Sequence, residues 1–173
     1  PSMPPSVDDA SLLARYDFSS HASYGAIDVW LGRRKAQGEE TGSGPEEVLY
    51  VRVPDEWKEE DLEAYCRFHR SYVSHRARHK WPHTFAVLYD GRSASSPRDV
   101  PSFLAQAACF VSTQQACGDH YVTLLHRIVL LVSEPGVGAV IQRLAAPFKP
   151  TKPLVVHCEG EEGGATLAEK VGG

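Results

Sequence analysis

Apolar residues recur along the chain with two periods, and the switches between them mark its elements. In residues 26–35 (AIDVWLGRRK) Ile27, Val29 and Leu31 alternate with Asp28, Trp30 and Gly32, which predicts a strand with one buried face. Residues 47–53 (EVLYVRV) predict a second strand ended by Pro54. The polar, glycine-rich GEETGSGP over 38–45 reads as an exposed hairpin loop, so the two strands pair antiparallel. The period then changes to that of a helix. Leu62, Tyr65, Cys66, His69, Tyr72 and Val73 form an apolar stripe on a helix that starts near Glu56, is capped by Asp55 and stops before Pro82. Its charges agree with the macrodipole: Glu59, Glu60 and Asp61 lie early, and Arg67, Arg70, Arg76, Arg78 and Lys80 lie late.

Three oily runs follow, beginning at Thr84 (TFAVLY), Ile128 (IVLLV) and Leu154 (LVVHC), each of strand length. Helical patterns separate them. One is capped by Asp99, with Phe103, Leu104, Ala107, Phe110 and Val111 inward; Gly118 interrupts it before a further turn over 121–126. Another runs over 137–146 after Pro135, and a last short helix occupies 165–171. A short helix over 12–18 precedes the first strand. Strands separated by helices imply parallel pairing with right-handed crossovers. The expected fold is therefore α/β: a mixed sheet with an N-terminal antiparallel hairpin and parallel βαβ units, helices packed on the sheet. Residues 1–10, rich in proline, read as a flexible lead-in, and 11–173 as a single domain.

Composition narrows the class. Of 173 residues 42% are hydrophobic and 23% charged, values of a globular domain long enough to bury a core. The formal charge of −4 argues against attraction of the whole molecule to nucleic acid. The longest apolar run is strand-sized, well short of the roughly 20 residues that span a bilayer, so no transmembrane segment is expected. Cys66, Cys109, Cys117 and Cys158 show no metal-type pairing, and reduced thiols in a cytoplasmic setting are the expectation.

Candidate chemistry is sparse. Nucleotide-binding loops and hydrolase elbows are missing from the sequence, no cofactor is implied, and the chain does not read as an enzyme. His75 and His79 have the i, i+4 spacing of metal ligands, but HRARH lacks the glutamate of a zinc protease, and Arg76, Arg78 and Lys80 oppose a cation. No metal is expected there. The same basic segment, Arg67 to Lys80, suits phosphates or an acidic surface. Asp90, Arg92 and Ser93 follow the central strand, where open α/β sheets place ligands. The candidate ligand-binding set is thus Arg67, Arg70, Arg76, Arg78, Lys80, Asp90, Arg92 and Ser93. An alternative is a cysteine-dependent hydrolase built on Cys158 with His157, because VVHC precedes a glycine-rich turn and a helix. Gly164 stands where such phosphatases carry arginine, and Glu159, Glu161 and Glu162 repel phosphate.

From Phe85 onward the chain reads FAVLYDGRSASSP and, after a helical stretch, HYVTLLHRIVLLVSEPGVGAVIQRLAAPFKPTKPLVV, with Asp90 and Ser93, Leu125 and Arg127, Pro135, and Pro147-Phe148 with Lys152 at marked places. In these motifs the chain resembles the CRAL-TRIO lipid-binding domain. The element order is also similar to that of STAS domains, regulatory modules that bind partner proteins near a serine at a helix start, where Ser93, Ser95 or Ser96 would stand. Arg92, Pro97 and Arg98 beside these serines suit a phosphorylation site. The resemblance implies a non-enzymatic binding or regulatory module whose partner is a protein or an anionic, amphiphilic lipid.

Overall fold

The strand and helix periods translate into a mixed sheet held between two helical layers. A computed structural model describes residues 6–36, 44–54, 56–93, 112, 115–146, 152, 154–161 and 163–172. Among these, helix α1 (Ala10–Arg15) leads into β1 (Tyr16–Tyr24), β2 (Ile27–Arg34) and β3 (Glu47–Arg52). Helix α2 (Glu59–Arg78) follows, then β4 (Phe85–Asp90), α3 (Asp119–Leu124), β5 (Leu125–Val132), α4 (Pro135–Ala145), β6 (Leu154–Cys158) and α5 (Leu167–Gly172). The strands lie in the order β1-β2-β3-β4-β5-β6. The first three are antiparallel and the last four, counting β3, are parallel. The three oily runs are therefore adjacent and co-directional, as their pattern predicts.

Strand alternation sorts the core into two halves. Ile27, Val29, Leu49, Val51, Phe85, Val87 and Ile128 face one way and pack with Tyr65, Tyr72 and Val73 of α2 and Tyr121 and Leu124 of α3. Trp30, Val48, Tyr50, Ala86, Leu88, Val129 and Leu131 face the other way and pack with Leu12 of α1 and Leu167, Ala168 and Val171 of α5. Successive right-handed crossovers that advance in one direction across a sheet deposit their helices on one face. The opposite face is closed by the two terminal helices. Close approach of α4 to the sheet depends on Gly138, where a Cβ would stand 2.6 Å from a Val156 methyl.

Several expected boundaries are corrected. Residues 16–18 belong to β1 rather than to a helix over 12–18, and β1 itself escapes the hydropathy pattern because it is an edge strand, exposed along most of its length. The turn at Gly25 and Ala26 joins it to β2: Gly25 has φ +60° and lies against the Asp61 carboxylate, leaving no room for a side chain. Helix α2 begins at Glu59, later than expected. Asp61 accepts hydrogen bonds from the Lys58 N–H (3.2 Å) and the Ala26 N–H (3.3 Å), so it secures both the helix start and the hairpin. Leu125 and His126 are strand residues, not the end of a helix. Asp55, the loop over 38–43 and the helix expected from Asp99, with Cys109, fall outside the described residues.

Cysteine chemistry is also corrected. Cys66 is disulfide-bonded, whereas Cys117 and Cys158 are free and buried. Sequence spacing is silent on this bond because tertiary proximity, not separation along the chain, decides which thiols can meet.

Candidate functional site

Arginines decide where charge is available on this molecule. At the carboxyl end of β4, Asp90 is 3% exposed and points to the same side of the sheet as Leu88 and Tyr50. A carboxylate there requires partners. Its Oδ1 accepts from the Arg92 backbone N–H (3.1 Å) and Nε (3.0 Å), and its Oδ2 accepts from the Tyr50 hydroxyl (2.6 Å) and Arg92 Nη2 (2.9 Å). Arg52 Nε adds charge at 3.7 Å. Burial alone raises the carboxyl pKa, but the hydrogen bonds from Arg92 and Tyr50 outweigh it and hold Asp90 below its ordinary range. Arg92 also reaches Glu159 of the loop after β6 (3.0 Å) and Asp8 ahead of α1 (3.2 Å). Asp90 and Arg92 are thus committed to one another and to the closure of three chain segments. Ser93 beside them is exposed, and Ser95, Ser96, Pro97 and Arg98 fall outside the described residues.

Helix α2 presents the opposite situation. The expected basic segment divides according to helical phase. Arg67, Arg70, Ser71, Ser74, His75 and Arg78 line one open groove of about 520 Å³. Their spacing of three and four residues places them on a single face beside the buried stripe. None of the three arginines makes an ion pair with a described carboxylate. Ser74 hydrogen-bonds to Cys117, whose thiol is pushed up by burial and so stays protonated beside Arg70. The groove therefore offers guanidinium and hydroxyl donors that, among the described residues, have no carboxylate within ion-pair distance.

Arg76 and Lys80 stand apart from that face. The Arg76 guanidinium donates to both carboxylate oxygens of Glu47, with Nε–Oε1 2.8 Å and Nη2–Oε2 2.8 Å, and its Cζ stacks 3.5 Å from the Tyr72 ring centroid. Glu47, 5% exposed at the start of β3, also accepts from the Tyr72 hydroxyl at 3.3 Å. Lys80 lies beyond the helix end in a left-handed turn (φ 49°) and is exposed. A signal for Glu47 was present in the sequence: a charge opening the otherwise apolar EVLYVR needs a partner when the strand is buried. Asp8, Tyr50, Arg52 and Glu159 gave no comparable signal, because their roles depend on how chain ends converge.

The other candidates separate in space. His157 and Cys158 are consecutive in β6, so their side chains project to opposite faces of the sheet. Cys158 Sγ lies 3.6 Å from the Ser133 carbonyl and 3.7 Å from the Glu159 carbonyl. Burial, with Lys170 nearby, lowers the His157 pKa and keeps the ring neutral. The rings of His75 and His79 lie tilted against each other with centroids 4.4 Å apart, while His69 is in the core. No group of three His, Cys, Asp or Glu able to hold a metal occurs among the described residues, and no helix among them is long and apolar enough to cross a membrane. Compared with models of protein families, with curated proteins and with solved structures, the chain finds no match.

Proposed function

We propose that the protein is a non-enzymatic binding or regulatory module, of the CRAL-TRIO/STAS-like kind that its element order resembles, and that it recognises an anionic group through the α2 groove. One observation carries this reading: Arg67, Arg70 and Arg78 line one groove without a carboxylate partner among the described residues, whereas the neighbouring Arg76 is neutralised. Holding three like charges on one helix face opposes folding by mutual repulsion, and an anionic ligand relieves it. The opposed faces of His157 and Cys158 favour binding over hydrolysis.

Retention on phosphocellulose tests the reading. The protein, despite its charge of −4, is expected to be retained at low salt and released as salt screens the contact. The triple variant Arg67→Glu, Arg70→Glu, Arg78→Glu is expected in the flow-through with an unchanged circular dichroism spectrum. Equal retention of both proteins refutes the groove as the recognition surface.

A further inference from the structure

The six groove residues fall into two ends. Arg67, Arg70 and Ser71 form one, and Ser74, His75 and Arg78 form the other. With a rise of 1.5 Å per residue, the midpoints of these ends lie roughly 9–10 Å apart along the helix. Arg67 and Arg78, the outermost arginines, stand roughly 16 Å apart along the helix, more than one phosphate spans. Each end supplies at least one guanidinium fork, suited to bidentate phosphate contact, together with a hydroxyl donor. Between the forks, Ser71, Ser74 and His75 both donate and accept, which matches the hydroxyls of a polyol rather than an apolar chain.

We infer that the groove is a two-point site for a compact polyol carrying two phosphates about one hexose apart, an inference that rests on the reading of the groove as an anion-binding surface. Overall charge selects compactness. An extended polyanion would bring many charges within a Debye length, about 8 Å, of a protein whose net charge is −4, whereas a small bisphosphate engages the groove alone.

Isothermal titration of the full chain with three soluble probes tests the inference: a hexose bisphosphate with its phosphates at the two ends of the carbon chain, inorganic pyrophosphate and inorganic phosphate. A fourth arm uses phosphatidylcholine vesicles with and without phosphatidylserine. The bisphosphate is expected to bind one per chain, roughly tenfold to hundredfold tighter than inorganic phosphate, with pyrophosphate between, because the second charged contact is made only by the longer ligand. Arg67→Glu and Arg78→Glu, each with unaltered melting temperature, are each expected to bring the bisphosphate down to the level of inorganic phosphate. Equal affinity for bisphosphate and phosphate overturns the two-point site but leaves the anion-binding reading standing. No heat from any soluble phosphate, together with no phosphocellulose retention, overturns both. Binding to phosphatidylserine vesicles without binding of the soluble bisphosphate overturns the small-ligand inference in favour of a membrane surface.

Discussion

Arg76 and Arg78 stand two residues apart on the same helix, and the protein uses them in opposite ways. Arg76 is folded onto Tyr72 and bonded to the buried Glu47, so its charge is part of the core boundary. Arg78 lines the groove with Arg67 and Arg70, and no described carboxylate answers it. The same division separates two regions of the molecule. At the carboxyl end of β4, Asp90, Arg92, Arg52, Asp8 and Glu159 compensate one another and tie three chain segments together. Along α2 positive charge is left open. A basic residue therefore reveals little until its partner is known, and helical phase decides which residues acquire one.

The compensated region is the one whose disruption should cost most. Asp90→Asn leaves Arg92 and Arg52 beside an uncharged amide, and breaking such a pair is expected to remove about 3–5 kcal/mol of stability, read by urea denaturation. A loss under about 1 kcal/mol would mean that the network is solvated rather than structural. Arg76→Ala should follow at about 2–4 kcal/mol, since Glu47 then keeps only the Tyr72 hydroxyl and the distant Arg33, 4.0 Å away.

Third is pH. His69, 2% exposed on α2, receives or donates one hydrogen bond with the Tyr65 hydroxyl (3.2 Å) and lies beside Tyr121 and Phe85, with its Nε2 unpaired among the described residues. Burial lowers its pKa to about 4. The unfolded chain binds a proton near pH 6.5 and the folded chain does not until about 4, so stability rises with pH across that window and falls on acidification. The contribution is on the order of 3 kcal/mol, and His69→Gln should flatten the melting temperature between these pH values. Asp90 acts in the same direction at lower pH, because its depressed pKa makes its contribution present above the ordinary carboxylate range and lost below it. Smallest are the groove substitutions. Arg67→Ala, Arg70→Ala and Arg78→Ala should each change stability by less than about 0.5 kcal/mol in thermal denaturation while weakening phosphate binding, the reverse of Arg76→Ala.

Much of the sheet was legible in the sequence for a physical reason. TFAVLY and IVLLV are buried on both faces or nearly so, and continuous apolar runs report that directly, whereas LVVHC, at the sheet edge, is mostly half-buried. The stripe Tyr65, Cys66, His69, Tyr72 and Val73 is likewise buried as its spacing predicts. Strand β1 was not legible, because YDFSSHASY borders solvent and its pairing is specified by the Gly25 turn and by β2. The basic helix could be read as a candidate surface, but its division into a neutralised Arg76 and an open groove could not. That division depends on Glu47, which is distant in the chain and is brought beside Arg76 only when β3 docks against α2. Asp90 and Arg92 were found by position at a strand end, yet their mutual commitment required the convergence of residues 8, 50, 52 and 159.

The most direct measurement follows the arginine Nε–H signals of the nitrogen-15-labelled protein as phosphate is added. Saturable shifts of Arg67, Arg70 and Arg78, with Arg76 and Arg92 unmoved, are predicted. Movement of Arg76 or Arg92, or no movement of the three groove arginines, would contradict the division of charge proposed for this molecule.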